Sequence, residues 1–318
     1  MHSHDIAPTE EAVLSVLAGT PVDEAARQAG TSPVLLALAV ERYRAAGRAA
    51  LDQQPGTWYQ VNIEFTDYTT AATAFGDCLL PVLSEKTIGL WWFIRKHPHW
   101  RLRIKPTPGT PTGEIATSIA QALDTAVSHG TVRRWRPTLY EPETIAFGGP
   151  DGMTTAHHLF HTDSRGVLTY HRAADAGTDG LPDAKTTSLL VLTLLLRAAG
   201  LEWGEQGNVW GQVEALRPLP PAVPPERATA MVLPMRTLLT RDAGPALTNG
   251  PLTPLRRWIV GMEHGGQELK DAAHDGRLTL GLRAVLARHV LFHWNRMGFN
   301  TRQQAIWARA AREAILGQ

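Results

Sequence analysis

Residues 100–105 read Trp-Arg-Leu-Arg-Ile-Lys, a strict alternation of apolar and cationic side chains. In an extended chain alternate side chains share a face, so Trp100, Leu102 and Ile104 point one way and Arg101, Arg103 and Lys105 the other. Like charges about 7 Å apart repel unless an anion or carboxylates offset them. The pattern fits a floor for an anionic ligand, and it fits equally a solvated sheet face with Glu64 as neighbour. A second grouping lies near the C-terminus, where His289, His293 and Arg296 stand at i, i+4 and i+7. On a helix they share one face, and an imidazole held beside a cation suits proton transfer near neutral pH. The alternative is a helix end whose basic residues complement the dipole. His157 and His161 have the four-residue spacing that metal sites use. They lack the adjoining glutamate of a metalloprotease pair and any evident third ligand, so the expectation is no metal and no cofactor.

These groups must be positioned by regular elements. Val61, Ile63 and Phe65 alternate with polar residues, which predicts a strand over 58–66. A helix over 69–84 follows, then strands over 88–96 and 99–105, a helix over 112–128 and a strand over 131–139. That order, strand-helix-strand-strand-helix-strand, predicts a ferredoxin-like antiparallel sheet with helices on one face. Beyond residue 150 helical periodicity dominates, near 152–173, 185–216, 227–240, 254–274, 277–297 and 301–316. Leu216–Pro225 carries five prolines and reads as an extended connector. Residues 9–50 read as short helices punctuated at Gly19-Thr20-Pro21 and Gly30-Thr31-Ser32-Pro33, similar to a helix-turn-helix, with a boundary at Gln53-Gln54-Pro55-Gly56. The fold class is α+β, with an accessory helical unit over 1–52 and the main domain over 58–316.

Composition narrows the function. The 31 Lys and Arg against 30 Asp and Glu leave a net charge of +1, which offers no global attraction to nucleic acid or anionic membrane. With Cys78 the single cysteine, intramolecular disulfides and cysteine-based zinc sites are excluded. The apolar run Leu189–Leu196 is too short to span a bilayer, and Met1–Pro8 has no signal-peptide pattern, so a soluble cytoplasmic protein is expected.

Several segments together resemble a known family. They are Trp91-Trp92-Phe93-Ile94-Arg95, the turn before Arg101-Leu102-Arg103, Tyr140-Glu141-Pro142-Glu143, Phe147-Gly148-Gly149-Pro150, Met153, Leu159-Phe160, Asp163-Ser164 and His293-Trp294-Asn295-Arg296-Met297-Gly298. Their order is similar to that in the C-terminal, elimination domain of lantibiotic dehydratases and its free-standing counterparts in thiopeptide pathways. The resemblance covers roughly residues 58–316 and is carried by ordered motifs. It implies an enzyme that eliminates glutamate from glutamylated Ser or Thr of a precursor peptide, giving dehydroalanine or dehydrobutyrine. It implies His293, Glu143 and Arg103 as catalytic residues, Arg95, Arg101 and Arg296 as substrate-binding residues, and a partner that glutamylates the peptide from glutamyl-tRNA. Two departures stand out: Ala146 replaces the family's arginine and Trp100 its histidine. Arg95 and Arg172 are candidates for the missing charge.

A pyridine synthase of the same family, joining two dehydroalanines by formal [4+2] cycloaddition with loss of the leader, is the alternative that Ala146 favours. A non-catalytic leader-binding or regulatory protein is the third reading. Arg42, Arg44 and Arg48 would suit phosphates, but the patch is small, and no direct DNA binding is expected. The expected partners are the precursor's leader and core, with no membrane contact; a homodimer is left open. The expected site has Arg101, Arg103 and His293 lining one pocket, with Glu143 near its rim.

Overall fold

A computed structural model of the chain describes residues 6–52 and 58–317, with side chains at 6–9, 42, 45–52 and 245 outside the description. The boundary segment Gln53–Gly56 and the terminus Met1–Asp5 also lie outside it. Contacts divide the chain into two compact units, Met1–Thr57 and Trp58–Gln318.

The first unit holds α1 (Ile6–Leu17), α2 (Val22–Gln28) and α3 (Pro33–Asp52). Gly19 and Gly30 take the positive φ that lets the chain turn between them. Ala12, Val13, Val16, Ala25, Ala26, Leu36 and Val40 form a small core. Leu35 and Leu38 stay exposed. Of the basic residues on α3, Arg44 bonds Glu41 at 3.1 Å. The side chains of Arg42 and Arg48 lie outside the described residues.

The second unit opens with β1 (Tyr59–Phe65), α4 (Ala71–Leu83), β2 (Ile88–Lys96), β3 (His99–Pro106), α5 (Thr112–Ser128) and β4 (Val132–Thr138). The strands form one antiparallel sheet in the order β2-β3-β1-β4, the ferredoxin-like topology expected from the element order. Val61, Ile63, Phe65, Trp100, Leu102 and Ile104 are all at most 4% exposed and pack against Phe75 and Leu79 of α4 and Ile115, Ile119 and Leu123 of α5. Trp100 stacks between Phe93 and Phe75, with ring centroids 4.6 and 5.4 Å apart.

The remainder is helical: α6 (Gly149–Asp175), α7 (Ala184–Ala198), α8 (Trp203–Leu216), α9 (Glu226–Thr229), α10 (Val232–Thr240), α11 (Gly244–Asn249), α12 (Arg256–His274), α13 (Leu282–Met297) and α14 (Thr301–Leu316). The single helix expected over 185–216 is two. Gly200 turns at φ +77° after α7, and Glu202 with Glu205 forms a reciprocal capping box that starts α8. Periodicity cannot register such a break because both halves remain apolar.

Helix α6 runs along the outer edge of β2 and closes it with side chains. Ser164 accepts from the Phe93 N–H at 3.1 Å, Arg296 of α13 donates to the Phe93 carbonyl at 3.0 Å, and the His161 ring meets the Trp91 backbone at 2.9–3.2 Å. An edge strand otherwise presents unpaired backbone groups to other chains. Where α6 meets α12, Gly166 lies directly against the Trp258 indole, so an added Cβ would enter the ring. Gly166→Ala is expected to cost about 1–3 kcal/mol by overpacking. Urea unfolding checks this, and an unchanged midpoint would refute the tight crossing.

Candidate active site

The site is built on the face of the sheet turned away from α4 and α5. Strand register sets Arg103 between Gln60 of β1 and Trp92 of β2, and Arg101 between Asn62 and Ile94. On the far side, β4 places Thr138 opposite Gln60 and Arg136 opposite Asn62. The face is polar yet largely covered: Gln60, Asn62 and Arg103 are 6–8% exposed. Gln60 donates its amide N–H to Thr138 Oγ1 and the Leu139 carbonyl, at 2.6 and 3.1 Å, which commits its nitrogen. Gln60 Oε1, Asn62 Oδ1, Arg101 Nε and Arg103 Nε and Nη1 are buried without a hydrogen-bond partner among the described residues.

Glu64 does not neutralise these cations. Its carboxylate accepts from Arg134 at 2.7 Å and lies 3.7 Å from Arg133 and 3.8 Å from His99. The hydrogen bond from Arg134, opposing the desolvation of Glu64 and aided by the other two charges, holds its carboxyl below the usual range. Among the described residues, no carboxylate lies within ion-pair distance of Arg101 or Arg103. Burial pushes the Arg103 guanidinium down to about 10; Tyr140 and Glu143 draw it up, while Arg101 and Arg296 depress it further. It stays charged at neutral pH.

Aromatic rings wall the cation in. The Arg103 guanidinium lies 4.1 Å over the Trp92 ring and 5.2 Å from the Tyr140 ring. Tyr140 follows β4, and its hydroxyl meets Nε2 of His157, on α6, at 2.8 Å. Trp58 lies 4.4 Å from the His157 ring and 5.5 Å from that of Tyr140. Burial, with Lys105, His158 and Arg103 adding to it, lowers the His157 pKa to about 4, so the ring is neutral. Burial raises the Tyr140 hydroxyl further above its ordinary value, despite Arg103. Both rings are only partly covered. Behind them lie Phe147, Met153, Ala156 and Phe160, with Phe292 packed against this group.

His293 lies elsewhere, at 1% exposure inside the helical region. Its Nδ1 meets Asp163 of α6 at 2.9 Å and its Nε2 meets Ser188 of α7 at 2.8 Å. Asp163 also accepts from Trp258 at 3.0 Å and from Arg296. Desolvation alone would raise the Asp163 carboxyl, but His293 and Arg296, with the hydrogen bonds from His293 and Trp258, hold it at about 2.

A family model for the C-terminal region of lantibiotic biosynthesis dehydratases matches residues 58–315. This chain belongs to that family. No curated protein matches it. Among solved structures it is similar to the tRNA-dependent lantibiotic dehydratase MibB from Microbispora sp. 107891, at 17% identity and a TM-score of 0.58, over 82% of this chain and 28% of that one. It is also similar to TbtD, the pyridine synthase from thiomuracin biosynthesis, at 12% identity and a TM-score of 0.55, over 81% of this chain and 97% of that one. A third, TsrL, has 16% identity and a TM-score of 0.49, over 80% and 93% of the two chains. The two likenesses above a TM-score of 0.5 show a shared fold. Among the described residues no helix is long and apolar enough to cross a membrane.

Within this lantibiotic-dehydratase fold, the residues singled out from the sequence divide into groups. Arg101 and Arg103 share the polar sheet face, and Glu143 stands exposed on the loop after β4, near enough to Arg103 to act on its charge. His293 is not with them, because Asp163 and Ser188 take both ring nitrogens in the interior. Arg296 points into that same interior and donates to Asp163 and Phe93. His289 is also buried, its ring against Phe147 and Phe160 and its Nε2 without a partner among the described residues. Arg95 faces the opposite side of the sheet, 4.3 Å over Trp100 and 2.9 Å from the His171 ring. Arg172 lies beside Gly76 of α4. Neither replaces the family arginine at Ala146, which packs beside the aromatic wall. His157 and His161 serve Tyr140 and the Trp91 backbone separately, rather than one ligand sphere.

Proposed function

We propose that this protein removes glutamate from glutamylated Ser or Thr side chains of a precursor peptide, leaving dehydroalanine or dehydrobutyrine. The observation that carries the reading is the pair of guanidiniums, Arg101 and Arg103, left without a carboxylate on a covered sheet face. An unpaired buried cation is costly, so a ligand carboxylate there would recover a strong charge-assisted contact. The free oxygens of Gln60 and Asn62 suit the glutamyl ammonium. In the reaction Glu143 takes the α-proton of the esterified residue. The Cα–Cβ double bond forms, the Cβ–O bond breaks, and its electron pair departs on the glutamate carboxylate. His293 serves in this scheme as a positioning residue, holding Asp163 and through it Arg296. In this reading a partner protein supplies the glutamylated peptide, and residues 1–52 form an accessory unit that engages the leader or that partner.

Ala146 and the aromatic wall of Trp58, Trp92 and Tyr140 favour a second reading, the pyridine synthase, whose substrate carries no glutamyl carboxylate. Mass spectrometry separates the two. Incubation with a glutamylated peptide should release glutamate and give a mass 18 Da below the unmodified peptide, one water per residue. An intact ester, with cyclisation of a bis-dehydroalanine peptide, would establish the synthase instead.

A further inference from the structure

We infer that Tyr140, held by His157, is the hydrogen-bond donor that this site aims at the substrate's developing oxyanion. The inference rests on the elimination reading and adds to it the group that stabilises the enolate-like intermediate.

Abstraction of an α-proton from an acylated Ser or Thr places charge on the residue's own carbonyl oxygen. A carboxylate base is weak against such a proton, so the site needs a preorganised donor at that oxygen. In the elimination reading Arg101 and Arg103 are committed to the one free carboxylate of the glutamyl ester. His293 has no surface and no free ring nitrogen. His289 is buried among phenyl rings. Trp92 Nε1 is a further donor on this face but is buried, whereas Tyr140 is only partly covered, has the Arg103 guanidinium 5.2 Å from its ring and lies near enough to the exposed Glu143 to feel its charge.

The contact with His157 decides whether that hydroxyl is available. A phenol has one proton to give. If Tyr140 donated to an unprotonated Nε2, nothing would remain for substrate. His157 is neutral and so carries one N–H. With the proton on Nε2, the ring donates to the Tyr140 oxygen across 2.8 Å and frees the phenolic O–H to point into the site. Trp58, 4.4 Å from the imidazole, fixes the ring that makes this bond. Histidine is thus a positioning residue, and tyrosine is the group that touches substrate.

The test uses the full chain and a fluorescent glutamylated Ser peptide, and measures single-turnover glutamate release and peptide Kd for wild type, Tyr140→Phe, His157→Gln and His157→Leu. Tyr140→Phe should slow release about 10²–10³-fold, as loss of one oxyanion donor does, while Kd changes by less than about threefold. Retained binding also shows that the variant is folded. His157→Gln keeps an N–H near the Nε2 position and should retain most of the rate that His157→Leu loses. Tyr140→Phe releasing glutamate within about threefold of wild type would overturn the assignment, as would a loss confined to Kd, or His157→Gln failing as badly as His157→Leu. A wild-type protein that leaves the ester intact overturns the elimination reading itself, which is a separate outcome from any of these.

Discussion

Asp163→Ala is expected to destabilise the folded protein by about 3–5 kcal/mol, a large share of a typical domain's stability. The carboxylate is fully buried and joins four elements: its own helix α6, Trp258 of α12, and His293 and Arg296 of α13, with His293 reaching on to Ser188 of α7. Removing it leaves the Arg296 guanidinium in the interior with its Phe93 carbonyl contact and no counter-charge. That cost exceeds the net worth of the pair, because the remaining ion keeps its full desolvation penalty. The same linkage predicts an acid limb. With its folded-state pKa depressed to about 2, Asp163 contributes stability that is fully present above the unfolded value near 4 and is lost as pH falls towards 2. The contribution is on the order of 2 kcal/mol. Urea midpoints at neutral pH, repeated between about pH 4 and 2, test both statements. A neutral-pH loss below about 1 kcal/mol, or an Asp163→Asn variant with an unchanged acid limb, would show that the network does not hold the helices together.

The contrast between this network and the sheet face explains what the sequence could reveal. Strand alternation is a local property, so the facing of Arg101, Arg103, Leu102 and Ile104 on β3 was legible from a window of six residues. Helix periodicity likewise put His289, His293 and Arg296 on one face. What that face meets was not legible, because Asp163 lies 130 residues from His293 and Ser188 lies 105. One signal was present: Asp163 stands three and four residues after Phe160 and Leu159 and four before Val167, on the apolar stripe of α6. A carboxylate on an apolar stripe needs a buried partner. The Tyr140–His157 pair escaped notice because one member follows a strand and the other lies inside a helix, and the spacing of His157 and His161 drew attention to metal chemistry instead. Arg95 was misplaced by a subtler rule. It shares a motif with Arg101 and Arg103, but its odd-numbered position on β2 pairs with Trp100 and so puts it on the opposite face.

Arg103→Met is expected to separate stability from activity. Methionine can follow the path of the arginine stem and keep its contact with Trp92, while losing the charge. Since no carboxylate pairs with Arg103 in the described structure, substitution removes a buried cation whose desolvation is offset by aromatic faces and by the more distant Glu143. Its unfolding midpoint should therefore be unchanged or higher, the outcome seen when buried ionic groups give way to apolar ones of similar volume. Substrate handling should move the other way. A guanidinium that meets the glutamyl carboxylate in a covered site contributes about 2–5 kcal/mol, so affinity for glutamylated peptide should fall roughly 30- to 5,000-fold. Arg103→Lys would restore charge without the planar fork and should recover only part of that loss. Peptide binding measured beside urea unfolding gives both numbers on one preparation. A variant that binds as wild type does would remove the argument for an anionic substrate on this face. A variant that binds weakly but is also destabilised by more than about 2 kcal/mol would recast Arg103 as a structural residue, held by contacts with Trp92 and Tyr140 that outweigh the burial of its charge.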